Sequence, residues 1–154
     1  MLPAVAWSAR DRLHQRQLEE YYCTLCYAFF DLNQGALTMS NSGLPYPIRC
    51  SGDACAPIEL PGVPLGSFPN ITYDQMTLAL EPGDIYVFCT DGVTEASNAQ
   101  GVEFGSPRLC EVVRTHRDGS ANIIVDAIVD AVESFTGARA PHDDMTAVAV
   151  KITA

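Results

Sequence analysis

An unbroken apolar run, Ile85-Tyr86-Val87-Phe88-Cys89, sits between two sharp polar breaks. Its length and its β-forming side chains predict a strand covered on both faces. The preceding Pro82-Gly83-Asp84 is a turn signal, with proline presetting φ and glycine accepting a positive φ. Directly after the run, Thr90-Asp91-Gly92 puts a carboxylate at the C-terminal tip of the strand, beside a glycine that lets backbone pass close. Glu95 and Asn98 follow within one more turn.

Upstream, alternation and turn signals predict a meander. Tyr21 to Asp31 reads as a long strand, Asn33-Gln34-Gly35 as a hairpin turn, and Ala36 to Ser40 as the returning strand. Short strands are predicted at Ile48 to Cys50, Pro57 to Leu60 and Gln75 to Leu80, separated by Ser51-Gly52-Asp53 and by a loop from Gly62 to Gly66. Residues 1–20 fit less well: Ser8 would cap a helix running to about Glu20, with Asp11 as its capping-box partner, but only Leu13 and Leu18 give it an apolar face.

Downstream of Asn98 the period changes from strand to helix. Ser106-Pro107 is a helix start, and Leu109, Cys110, Val112 and Val113 supply an apolar side as far as His116. Ser120 caps a second helix with Ile123, Ile124, Ala127, Ile128, Ala131, Val132 and Phe135 at i, i+3, i+4 spacing, ended by Gly137. A closing strand follows from Ala147 to Ile152. Strands first, two helices late and a strand at the end predict an α+β fold.

Two acidic breaks bracket the helices: Asp91 ends one predicted strand, and Asp143-Asp144 precedes another. If those strands are antiparallel neighbours, the carboxylates converge. Hard divalent cations such as Mg²⁺ and Mn²⁺ take oxygen ligands and keep several waters, so a few carboxylates suffice to hold them.

Composition narrows the partners. The 154 residues are 47% hydrophobic, enough for one compact domain over 1–154. A net charge of -10 argues against nucleic acid or an anionic membrane, which need positive potential. No apolar run reaches transmembrane length and no signal-peptide layout opens the chain, so the expected compartment is the cytoplasm. Of the six cysteines, Cys23 and Cys26 form C-x-x-C, with Cys50 and Cys55 further on. On a strand, residues three apart point to opposite faces, so Cys23 and Cys26 do not converge on one metal. The cysteines are expected to be reduced and structural, with a zinc-binding or redox protein as the competing reading.

The series Asn41-Ser42-Gly43-Leu44-Pro45-Tyr46-Pro47, Gly62-Val63-Pro64-Leu65-Gly66, Leu80-Glu81-Pro82-Gly83-Asp84, Thr90-Asp91-Gly92-Val93-Thr94-Glu95-Ala96-Ser97-Asn98, Gly101 to Gly105 and Asp143-Asp144-Met145-Thr146 resembles the SpoIIE/RsbU-type branch of the metal-dependent protein phosphatases (the PPM, or protein phosphatase 2C, superfamily). The resemblance implies a layered α-β-β-α sandwich of antiparallel sheets flanked by helices, with two Mn²⁺ or Mg²⁺ ions at one edge. It implies hydrolysis of phosphoserine or phosphothreonine on a regulatory protein such as an anti-anti-sigma factor. By the same resemblance Asp91 and Asp143 are metal ligands, with Gly92 and Asp144 beside the metal; His142, next to Asp143 in sequence, is read as metal-adjacent, either a proton donor or a turn residue flanking the site.

The chain departs from the family pattern in two places. The Gly-Asp strand and the D-x-S-G-x-G segment that supply further aspartates have no counterpart, and Leu44 stands at a histidine position. The chain therefore resembles the C-terminal two-thirds of such a domain, N-terminally incomplete. That leaves a second reading, a catalytically incomplete phosphatase-like binding or regulatory module. Exposed strand edges would favour a homodimer. Arg108 and Arg139 are the basic residues nearest the acidic motifs in sequence and are candidates to hold a phosphate, while His14 and His116 read as surface residues.

Overall fold

The computed structural model describes residues 22–68, 71–137 and 143–153. The expected helix from Ser8 to Glu20 lies outside them, as do His14, Arg139 and His142. The chain divides into two compact units, one made of 1–44 and 60–80 and the other of 45–59 and 81–154.

In the first unit, β1 (Leu25–Asp31), β2 (Ala36–Ser42) and β5 (Met76–Ala79) form an antiparallel sheet in the order β1-β2-β5. The hairpin register runs from Leu25 opposite Ser42 to Asp31 opposite Ala36. Gly35, at φ 59°, closes it with the Asp31 carboxylate accepting from the amides of Asn33 and Gln34. Alternation decides which side chains are covered: Leu37 and Met39 are buried, while Thr38 is half-buried and its hydroxyl meets that of exposed Thr77.

The second unit carries an antiparallel sheet in the order β4-β3-β6-β7, built from β3 (Ile48–Ser51), β4 (Ala54–Pro57), β6 (Ile85–Cys89) and β7 (Ala147–Lys151). Its helices are α1 (Asp91–Thr94), α2 (Gly105–Thr115) and α3 (Ala121–Thr136). The stripe expected on α3 is buried at Ile124, Ile128 and Val132, and with Leu109 and Val113 of α2 it meets Ile85, Val87 and Cys89 of β6 in one core, whereas Ile123, about 100° round the helix from Ile124, falls outside the buried face and is exposed. Each such aliphatic side chain contributes about 1.5–3 kcal/mol by leaving water. Phe104, part of that core, packs edge-on to Phe135.

A buried polar cluster fixes the other end of the sheet. Asp84, 1% exposed, accepts from the Arg49 guanidinium at 2.7 Å, the Tyr86 hydroxyl at 3.0 Å and the Glu81 amide at 3.2 Å. The turn predicted at Pro82-Gly83-Asp84 is thereby anchored, and Gly83 and Asp84 exchange backbone hydrogen bonds with Ile152 beyond the end of β7.

Several local expectations shift. The first strand begins at Leu25 rather than Tyr21, and β2 continues to Ser42. The strand expected at Pro57 to Leu60 is instead Ala54–Pro57, because the turn after Ser51 takes only Gly52 and Asp53 before β4 pairs with β3. The helix expected to be capped by Ser106 starts two residues early, at Gly105 after Phe104, with Pro107 still inside the first turn, where its missing amide hydrogen breaks no helical bond. The expectation of reduced cysteines fails at one pair: Cys50 and Cys55 face each other across β3 and β4 and are disulfide-bonded, while Cys23, Cys26, Cys89 and Cys110 are free. Among the described residues the strands and the two long helices follow the periodicity in type, whereas α1 at Asp91–Thr94 stands where only an acidic break was expected.

Candidate metal centre

β6 and β7 are antiparallel neighbours, with Cys89 opposite Ala147 at the end of the ladder. The C-terminal tip of one strand therefore lies beside the start of the other, as the two acidic breaks required. Thr90 bolts the junction: its amide donates to Thr146 O at 3.1 Å, its hydroxyl donates to Asp144 O at 3.2 Å and accepts from the Thr146 amide at 3.0 Å. Gly92 sits directly against the same segment. A Cβ there would lie 2.4 Å from Asp144 O, so only glycine fits without backbone movement.

This packing brings Asp91 and Asp143 into one cleft, lined also by Gly92, Glu95 and Ala96. Both aspartates are exposed. Each folds one carboxylate oxygen onto the next backbone amide, Asp91 Oδ1 accepting from Gly92 at 3.0 Å and Asp143 Oδ1 from Asp144 at 2.8 Å. These contacts orient the carboxylates and leave the second oxygen of each available. A carboxylate pair in a wet cleft fits a hard cation that keeps most of its waters, and fits a soft metal poorly. Among the described residues no group of three or more His, Cys, Asp or Glu side chains is arranged to hold a metal.

Asp144 contributes through its backbone carbonyl, which meets Thr90 and Gly92. Arg108, considered for phosphate binding, is committed elsewhere: it donates to Glu103 O and Phe104 O, each at 3.0 Å, and stacks over Phe135. His116 is exposed and bonds its own helix at Val112 O. Two features were missed in the sequence. The bolting role of Thr90 is visible only once the partner strand is known, whereas Glu95, four residues after Asp91 across a helical turn, had a usable spacing signal.

Other motif pieces serve the fold. Asn41, 2% exposed, donates to Leu44 O and Leu60 O and accepts from the Leu44 amide. Gly62 lies so close to this clamp that an added Cβ would fall 1.9 Å from Asn41 O.

The profile of the family described as Stage II sporulation protein E (SpoIIE) matches residues 2–153, so the chain belongs to that family. It is 26% identical over 132 residues to phosphoserine phosphatase RsbU of Bacillus subtilis, covering 84% of this chain and 39% of that protein. The SiaA-PP2C domain of Pseudomonas aeruginosa superposes with a TM-score of 0.82 at 17% identity, over 97% of this chain and 60% of that one. The catalytic domain of the serine/threonine phosphatase PstP, solved with two manganese ions, gives a TM-score of 0.74 at 12% identity, over 99% of this chain and 70% of that one. The α+β fold with two antiparallel sheets is therefore that of PP2C-type domains. The chain spans about two-fifths of RsbU's length.

Proposed function

We propose that this chain is the C-terminal part, about two-thirds, of a domain that hydrolyses phosphoserine or phosphothreonine on a regulatory protein, such as an anti-anti-sigma factor. The observation that carries this reading is the meeting of Asp91 and Asp143 in one cleft beside Gly92. Membership of the SpoIIE family and the likeness to RsbU support the reaction class.

In this reading Asp91 and Asp143 would hold Mn²⁺ or Mg²⁺, a pair of ions in the complete site, with Gly92 and Asp144 shaping the wall beside them; His142 belongs to the same segment but lies outside the described residues. The bound cation would supply a water acidified for attack on phosphorus. The chain's own residues orient the carboxylates through the Gly92 and Asp144 amides and keep the two strand ends together through Thr90. Further oxygen ligands would come from residues beyond the described pair. A cytoplasmic setting and a homodimer remain part of the proposal; among the described residues no helix is long and apolar enough to cross a membrane.

The second reading, a catalytically incomplete binding module, is favoured by the small ligand set. Mn²⁺-dependent hydrolysis of a phosphoserine peptide, run beside Asp91→Asn, separates the two. Turnover that needs metal and disappears in the variant supports the phosphatase; a silent wild-type chain at high metal and enzyme concentration sinks it for this polypeptide and leaves the binding module.

A further inference from the structure

Cys50 and Cys55 lie on the β3–β4 hairpin and take no part in the acidic cleft. They are register partners with Cα atoms 4.0 Å apart, and their sulfurs are bonded. We propose that Cys50 and Cys55 are a reversible thiol–disulfide modification site, oxidised by a low-molecular-weight disulfide such as glutathione disulfide, that locks this hairpin.

Placement comes first. Facing residues on paired antiparallel strands stay together while the ladder holds, so the reduced thiols remain within reach of each other and closure is effectively unimolecular. Access comes second. β4 is the outer strand of its sheet, with Ala54, Ala56 and Pro57 exposed and Cys55 half-buried, whereas Cys50 is only 5% exposed. A small disulfide therefore meets Cys55 first. A stability role explains the bond poorly, because only five residues separate the cysteines and the chain-entropy gain from a cross-link is smallest for short loops.

The exchange balances in two displacements. The Cys55 thiolate attacks one sulfur of the small disulfide, forming a mixed disulfide and releasing one small thiolate. The Cys50 thiolate then attacks Cys55 Sγ, forming the Cys50–Cys55 bond and releasing the second. Both protons lost by the cysteines end on the two released thiols, and the two electrons they lose reduce the small disulfide.

Cys26, Cys110 and Cys89 compete weakly. Burial pushes the Cys26 thiol up to about 11 and raises that of Cys110, which lowers their thiolate fraction, and Cys89 is buried. Cys23 is exposed. The hairpin has a mechanical neighbour: Arg117, on the loop after α2, donates to Gly52 O and reaches the Asp53 carboxylate at the hairpin turn. Lys151 of β7 donates to Arg117 O and Gly119 O on that same loop.

The full chain, equilibrated in glutathione buffers from reducing to oxidising, then acid-quenched, alkylated and peptide-mapped, tests the proposal. The expected result is loss of label at Cys50 and Cys55 together as the buffer becomes oxidising, with both labels restored by dithiothreitol in the folded protein. Cys50→Ser should trap glutathione on Cys55, while Cys55→Ser should leave Cys50 free. Label retained at both sites throughout, a bond from either cysteine to Cys110 or Cys23, or a bond that resists dithiothreitol until the chain unfolds would each overturn the proposal. Thermal melts of both variants show whether each is folded, and the wild-type labelling series stands without them.

Discussion

The Thr90 hydroxyl donates to the main-chain carbonyl of Asp144 at 3.2 Å, across 54 residues of sequence, while accepting from the Thr146 amide. One side chain thus fixes the separation of the two strand ends that carry Asp91 and Asp143. Thr90→Val keeps the shape and removes both bonds, leaving the Asp144 carbonyl and the Thr146 amide to water. The expected cost is about 0.5–1.5 kcal/mol of stability, because water reaches the freed groups. Thr90→Ser should recover most of it. A Mn²⁺ titration should show the valine variant binding more weakly than the serine variant; equal binding by both would remove Thr90 from the positioning of the site.

Gly92→Ala tests how tightly the two acidic segments are pressed together. The added Cβ would meet Asp144 O at 2.4 Å and Asp144 C at 2.9 Å, both backbone atoms that no rotamer change can move. The segments must part, so cation affinity is expected to fall about tenfold or more, the equivalent of 1.4 kcal/mol. Isothermal titration with Mn²⁺ reads this directly. Unchanged affinity would show that the cleft is soft.

Asp84 provides a pH-dependent contribution to stability. Burial pushes its carboxyl up, but hydrogen bonds from Ser51, Arg49, the Glu81 amide and Tyr86 outweigh burial and hold it below its ordinary value of 3.8. A carboxylate with a depressed folded value stabilises the protein above the unfolded value, and that contribution is lost as pH falls through the folded value. Tyr86 works in the other direction. Burial, then its bond to Asp84, pushes the phenol from 10.0 up to about 12, so its contribution is present below pH 10.0 and lost as pH rises toward 12. Urea melts across pH should show Asp84→Asn less stable by about 1.5–3 kcal/mol at neutral pH, with the gap closing in acid. A gap independent of pH would show that packing, and not the charge, is what Asp84 supplies.

Much of this was legible in the chain because period and punctuation agreed. The length and β-forming side chains of Ile85 to Cys89 fitted a covered strand, and the spacing of Ile124, Ile128 and Val132 fitted a buried helical stripe, although Ile123, counted in that stripe, is exposed. The meeting of Asp91 with Asp143 was legible conditionally, since it required β6 and β7 to be antiparallel neighbours, and sheet order is set by tertiary packing that no local pattern encodes. Cross-chain relationships were not legible at all. Nothing near Thr90 announces Asp144, and nothing near Arg108 announces that its guanidinium stacks on Phe135 rather than facing the cleft. The Cys50–Cys55 pair was misread because its spacing of five reveals nothing until the turn is known to take only Gly52 and Asp53.

The adjacent aspartates Asp143 and Asp144 should behave differently. The Asp143 side chain lines the cleft, with one oxygen pinned by the Asp144 amide. Asp144 meets its neighbours through its main-chain carbonyl, which Asp144→Asn retains. Asp143→Asn replaces one carboxylate oxygen with an amide nitrogen that cannot ligate a hard cation, and it removes a charge from a set that holds few. Mn²⁺ binding should therefore collapse in Asp143→Asn and fall by less than about tenfold, under 1.4 kcal/mol, in Asp144→Asn. Both variants should melt within a few degrees of the parent, because exposed side chains away from a packed core change stability by about 0.5 kcal/mol or less. If Asp144→Asn were the variant that lost the cation, the ligand would be the second aspartate and the first would be the spacer.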